Sequence, residues 1–281
     1  MPQRILDSHC HAFPDHIAGP AMKALMAEAT WMPIRAYHDG TLGGLLRCMD
    51  EAGIERGIMC SVATRPSQVR KITDWSASTA SDRIIPFASI HPDFDAPEAE
   101  VERIASLGMK GLKFHPQYMN CAVDDPRCIR IARAAAKANL AFVLHAGYDL
   151  AYARDELGSP QRIRRLFEQA PGLRLLACHM GGWQRWQEVI DHLAGLPIWF
   201  ETSFVFDQCP PDLLERMLSK HPAEYLLFGT DSPWSDQAAE LAAFRALPLP
   251  GDVKARAMWE NGWQFIGLQP PPPRPAGPPT R

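Results

Sequence analysis

A chain of 281 residues is long enough for one large α/β domain or two small ones, and its 46% hydrophobic and 22% charged content are those of an ordinary soluble globular protein. The formal net charge of −3 supplies neither a basic field for nucleic acid nor an acidic tail. No apolar run reaches the roughly 18–20 residues of a membrane span, and the chain enters a strand-like run without a basic-then-apolar leader, so a cytoplasmic protein acting on a small molecule is expected.

Short apolar runs alternate with amphipathic segments along the chain. The first run, RILDSHCH at 4–11, is followed by a long segment, 12–40, that exceeds an ordinary strand-to-helix loop and is expected to form a lid or substrate wall. A helix over 41–52 starts on Thr41 and stops at Gly53. Next come the runs GIMCSVA at 57–63, IIPFASIHP at 84–92 and MKGLKFHP at 109–116, separated by helical stretches over 67–79 and 95–107. The runs LAFVLHAG at 140–147 and LRLLACHMG at 173–181 are flanked by helices over 125–139 and 159–169, the latter opening on the Ser159-Pro160 pair expected of a cap and first helical position. A helix over 185–194, the run PIWFETSF at 197–204, a helix over 211–220 and the run YLLFGTDSPW at 225–234 follow, with helices over 235–246 and 252–266 at the end.

Continuous apolar strands indicate burial on both faces, as in a parallel sheet. Eight strand–helix units over about 265 residues match a (β/α)8 barrel. The alternative, an open doubly wound sheet, would normally carry a GxGxxG turn, which this sequence lacks. The expected division is a single barrel domain over 1–268 and a disordered proline-rich tail over 269–281, QPPPPRPAGPPTR.

Six of the ten histidines, His9, His11, His91, His115, His145 and His179, fall at the C-terminal ends of expected strands, as does Asp231. Those ends converge on the face where barrel enzymes build active sites. The two-residue period of a strand puts His9 and His11 on one side and Lys113 and His115 together. Several imidazoles crowded into one mouth need a shared partner, and a divalent cation supplies it. Seven cysteines are scattered without a CxxC pair, so reduced thiols are expected, with Cys10 and Cys178 pointing away from the site by alternation.

With DSHCH on the first strand, GLKFHP on the fourth, VLHAG on the fifth, ACHMGG on the sixth and FGTDSPW on the eighth, the sequence resembles the amidohydrolase superfamily. Within it the resemblance is to the amidohydrolase-related branch, which also holds metal-dependent decarboxylases. The resemblance implies that His9, His11, His145 and Asp231 bind a divalent metal, zinc first and manganese second, and that Asp231 and His179 are catalytic. It leaves Lys113 open: carboxylated and bridging two ions with His179 as a further ligand, or, in the favoured one-ion form, a free cation for a substrate anion. His115, Tyr148 and Trp234 join Lys113 as expected substrate contacts, and His91 is expected to be structural. Trp31, Arg35, Tyr37, His38, Tyr118 and Trp183 complete the candidates for the mouth.

The activity the resemblance implies is hydrolysis of a small cyclic or carbonyl substrate (amide, ester or lactone) by a metal-activated water. The alternative is non-oxidative decarboxylation of an aromatic or enoic acid. The compact chain favours hydrolysis, because the branch's decarboxylases are usually somewhat longer. A small-molecule substrate is the expected partner, with no nucleic acid and no membrane, and a homodimer is compatible with the architecture.

Overall fold

The computed structural model describes residues 3–32, 34–152 and 154–272. The apolar runs form eight parallel strands: β1 (Leu6–Cys10), β2 (Arg56–Cys60), β3 (Ile84–Phe87), β4 (Gly111–Phe114), β5 (Ala141–Leu144), β6 (Arg174–Ala177), β7 (Trp199–Glu201) and β8 (Leu226–Leu227). Regular pairing runs through β1–β2–β3 and through β4 to β8. Isolated bridges join the two groups, Ala88 with Leu112 and Cys10 with Ser232, and close the ring into a barrel.

The helices between strands follow the sequence closely. Helix α1 (Asp15–Glu28) lies inside the long segment after β1, and α2 (Leu42–Ala52) is capped by the Thr41 hydroxyl, which accepts from the Gly44 amide, and ends on left-handed Gly53. Then come α3 (Val69–Ser78), α4 (Pro97–Ser106), α5 (Pro126–Lys137), α6 (Pro160–Gln169), α7 (Trp186–His192), α8 (Pro211–Lys220) and α9 (Gln237–Ala246). Asp125 and Asp236 cap α5 and α9 through their carboxylates, whereas the Ser159 side chain makes no capping bond to α6. The helix expected over 252–266 is two, α10 (Gly251–Met258) and α11 (Glu260–Phe265), broken at Trp259, whose φ of −143° departs from the helix.

That break serves the core. Trp259, Trp263, Phe265 and Ile266 pack with Leu6, Ile58, Phe87, Val143, Leu176 and Leu227, the inward side chains of the strands. Asn261 donates to the carbonyls of Ala223 and Leu226 and pins this plug to the start of β8. Gly111 is required inside the barrel, because a Cβ there would stand 2.1 Å from the Phe87 ring. A second, larger apolar layer lies between the strands and the outer helices.

Cys10 belongs to that outer layer, as expected; the β1–β2 register shifts between Asp7 and Cys10, which puts Cys10 on the opposite face from Leu6. Cys178 does not: it packs with the barrel interior, and its Sγ lies 3.4 Å from the Lys113 Nζ. The two-residue period carries it there: Leu176 faces the interior, Ala177 the outer layer and Cys178 the interior again, its amide donating to the Leu144 carbonyl at 2.9 Å. The chain turns only at His179, so alternation cannot be counted back from that histidine. Of the expected tail, residues 273–281 lie outside the described residues; its start is held by Arg4, which donates to the Pro271 carbonyl at 2.5 Å. Among the described residues, no helix is long and apolar enough to cross a membrane.

Candidate metal centre

The strands are shorter than the apolar runs, so His11, His115, His145, His179 and Asp231 stand just beyond the paired segments, in the turns that rim the barrel. Two of these residues take left-handed backbone, His179 at φ 59° and Asp231 at φ 58°, a region that non-glycine residues seldom occupy. Both are tied down. The His179 amide donates to Glu201 Oε1 at 2.9 Å, and the Asp231 amide donates to the His9 carbonyl at 2.7 Å.

The imidazole tautomers follow from the outer partners. His9 Nδ1 lies 3.2 Å from the Glu201 carboxylate and His11 Nδ1 lies 2.7 Å from the Cys60 carbonyl; both partners are acceptors, so both Nδ1 atoms carry the proton. The two Nε2 atoms therefore present lone pairs, and they face each other at 3.1 Å. Asp231 Oδ1 adds a third acceptor, 3.3 Å from His9 Nε2 and 2.9 Å from His11 Nε2. The same logic applies on the far side. His145 Nε2 donates to the Tyr148 carbonyl at 2.9 Å and His179 Nδ1 faces the Ser203 carbonyl at 3.2 Å, which leaves His145 Nδ1 and His179 Nε2 as lone pairs 3.1 Å apart.

Inward-facing acceptors this close repel one another unless a cation lies between them. Tetrahedral ligands about 2.1 Å from a zinc-sized ion are separated by roughly 3.4 Å, close to the spacings seen. The residues present therefore fit a divalent ion. Ligand atoms of His9, His179 and Asp231 lie within 4.8 Å of one another, His11 joins through His9 and Asp231, and His145 reaches the group through His179.

The electrostatics are consistent with this role. Burial lowers His9 to about 4, helped by the nearby Lys113 charge, so its ring is neutral at physiological pH. Burial alone would raise the Asp231 carboxyl; the pull downward comes from His9, His11 and His179 in their protonated forms, and with these rings neutral the neighbouring Lys113 ammonium is the cation that favours its ionised form. Lys113 is 1% exposed, and its Nζ stands 2.8 Å from His9 Nε2, beneath the donor cluster and not free in the mouth. Burial opposes its charge, while Asp231 and the ionised forms of Cys178 and Cys60 favour it, with a net rise. Burial keeps both thiols protonated near neutrality, with Cys60 pushed up to about 12, so Asp231 is the anion that remains to balance that amine.

Three carboxylates that sequence reasoning did not single out organise the site. Glu201, on β7, is fully buried and accepts from the His9 ring, the His179 amide and both the amide and hydroxyl of Ser203. Asp7 accepts from the His9 and Thr230 amides, the Thr230 hydroxyl and Gln237, locking the β8 turn that carries Asp231. Asp149 lies 3.4 Å from His115 Nε2 and 3.7 Å from His145 Nε2. The signal for Glu201 and Asp7 was available: each is a lone carboxylate in an apolar strand run.

His115 stacks on His145 with centroids 4.0 Å apart and planes at 13°. Parallel rings aim their lone pairs side by side, so they are poorly disposed to share one ion with Asp149. Tyr148, three residues after His145, packs with Trp31 from the segment after α1, and Trp31 also meets Trp183. These rings wall one side of the mouth. Trp234 follows Asp231 in the same turn, its amide donating to the Asp231 carbonyl at 3.0 Å. Arg35 and Tyr37 are exposed, and His91 accepts from the Asp93 amide.

Solved structures with this fold include 5-carboxyvanillate decarboxylase from Sphingomonas paucimobilis, 17% identical, with 95% of this chain and 100% of that chain covered at a TM-score of 0.72. A second is 5-carboxyvanillate decarboxylase from Novosphingobium aromaticivorans, complexed with manganese and 4-hydroxy-3-methoxy-5-nitrobenzoic acid, 13% identical over 95% and 97% of the two chains at 0.69. A third is an uncharacterized TIM-barrel protein from Bordetella bronchiseptica, 16% identical over 94% and 98% at 0.73. No curated protein matches the chain in sequence. The amidohydrolase family model (Amidohydro_2) matches residues 6–268, and with it the strand-end histidines and Asp231, so the chain belongs to the amidohydrolase family.

Proposed function

We propose that this chain is a metal-dependent non-oxidative decarboxylase of a hydroxy-aromatic carboxylate. The observation that carries the reading is the convergence of four unprotonated imidazole nitrogens and an ionised Asp231 beside the aromatic wall of Trp31, Tyr148 and Trp183. Two of the similar structures described above are decarboxylases of such acids, and the overlay spans 97–100% of their chains, so compactness no longer argues against this chemistry.

A divalent ion, when bound by His9, His11, Asp231 and the His145–His179 pair, supplies Lewis acidity toward the substrate's oxygens. Manganese is favoured by the similar decarboxylase that binds it. Asp231 is ionised at rest, so it first accepts the proton of the substrate's hydroxyl. It then delivers that proton to the ring carbon bearing the carboxylate; the carbon–carbon bond breaks, CO₂ leaves, and the bonding pair returns to the ring. Lys113 offsets the negative charge gathered beneath the site, and His179 lines the reacting face.

Hydrolysis of a lactone or amide is the second reading, and the ionised Asp231 is the observation that favours it, since it can equally take a proton from an attacking water. The manganese-loaded protein should release CO₂ from 5-carboxyvanillate or 2,6-dihydroxybenzoate and, in D₂O, place one deuterium on the product ring. Opening of lactones with ¹⁸O uptake from labelled water, and no CO₂ from any hydroxybenzoate, would overturn the decarboxylase in favour of the hydrolase.

A further inference from the structure

We infer that Arg154 and the aromatic pair Trp31 and Tyr148 form a subsite for a second anionic group on a planar substrate, remote from the reacting carboxylate. The inference rests on the reading of the mouth as a site for aromatic acids. The Arg154 Cζ lies 5.3 Å from the Trp31 ring centroid and 5.5 Å from that of Tyr148. Two aromatic faces thus hold one guanidinium in place. A second arginine, Arg185, lies 5.1 Å from the Tyr148 ring, but its charge is consumed by Glu156 at 2.8 Å and Glu188 at 2.7 Å. Among the described residues no carboxylate pairs with Arg154, and its side chain is exposed. Of the two guanidiniums on this wall, Arg154 is the one available to a ligand.

The wall is built onto the metal centre. Tyr148 supplies the carbonyl that accepts from His145 Nε2, and its own amide donates to the Trp183 carbonyl at 3.1 Å. The neighbouring Thr30 amide donates to the Leu150 carbonyl at 3.1 Å, which ties Trp31 to the same loop. Asp155, next to Arg154 in sequence, accepts from the Gln117 side chain and the Leu157 amide, and Asp149 is turned toward His115 and His145. A planar acid held at the metal centre and reaching along this wall would present an outer carboxylate to the edge of the Arg154 fork, which matches a carboxylate with two parallel hydrogen bonds.

The test is a tryptophan-fluorescence titration of the metal-loaded protein with benzoate, isophthalate and inorganic phosphate. Isophthalate should bind more tightly than benzoate. Arg154→Gln should weaken isophthalate about 10-fold and leave benzoate within about 2-fold, with Arg154→Lys intermediate. Phosphate should compete with neither acid at equal concentration; phosphate binding that depends on Arg154 and exceeds isophthalate would overturn the substrate-carboxylate subsite in favour of a phosphate site. Equal loss for both acids, or no loss for isophthalate, would also overturn it. Failure to release CO₂ with discrimination intact would count against the decarboxylase alone, because binding is read without turnover.

Discussion

Glu201 reaches across the barrel interior from β7 to His9 on β1, its Oε1 3.2 Å from His9 Nδ1. Burial alone would raise this carboxyl; the hydrogen bonds it accepts, from the His9 ring N–H first and then the Ser203 amide, bring it down to about 2. An ionised Glu201 keeps the His9 proton on Nδ1 and so aims the Nε2 lone pair at the ion. Glu201→Gln should therefore weaken metal binding about 10–100-fold. Calorimetric titration of the metal-free protein with Mn²⁺ measures this, and unchanged affinity in a folded variant would remove the role assigned to Glu201.

Asp231 touches both His9 and His11 and is the one carboxylate of the donor cluster poised to move a proton. Asp231→Asn should reduce turnover by at least about 10²-fold. The metal-free variant should melt close to the metal-free parent, because the turn is held by Asp7 and Thr230 and not by the Asp231 side chain. Residual turnover above a tenth of the parent would exclude it as the proton carrier.

The amine of Lys113 touches the His9 nitrogen that would face the ion. We expect one divalent ion per chain, and Lys113→Met should still bind one. Two ions in the parent and one in that variant, by elemental analysis, would instead assign Lys113 as a carboxylated bridge. Removing the ion with a chelator should lower the melting temperature, since free metal at about 100 times its dissociation constant adds about 2.7 kcal/mol to the folded state.

His221, away from the metal centre, stacks on Phe200 with centroids 4.0 Å apart, and burial lowers it to about 4. Unfolded, it titrates near 6.5. As pH falls below about 6.5 the unfolded chain gains a proton that the folded chain refuses until about 4, so stability is lost across that window, on the order of 3 kcal/mol for this group. His221→Phe keeps the stack and should remove this share of the acid sensitivity. Urea unfolding of both proteins at pH 7 and pH 4.5 gives the comparison; an equal pH dependence would show that His221 titrates normally.

Much of the fold is written in local pattern. Continuous apolar runs, Thr41 and Gly53 at the two ends of one helix, and the Asp125 and Asp236 caps follow from backbone and side-chain chemistry within a few residues. The histidines at strand ends were legible for the same reason, because a period of two and a parallel barrel together fix where they must gather. The continuous helix expected over 252–266 was not what the chain adopts, since the break at Trp259 is driven by the need to fill the barrel with Trp263, Phe265 and Ile266.

Family membership, the eight-unit barrel and the imidazole and carboxylate types available for a metal are all readable from residue order and pattern. Which atoms face the ion depends on contacts made after the barrel closes. Tautomers are set by partners far away in sequence, Glu201 for His9, Cys60 for His11 and Ser203 for His179. Lys113 lying under His9 and Arg154 held on the faces of Trp31 and Tyr148 likewise depend on contacts that no local period encodes. Side-chain protonation and pairing are properties of the assembled neighbourhood, and that neighbourhood exists only once the barrel has closed.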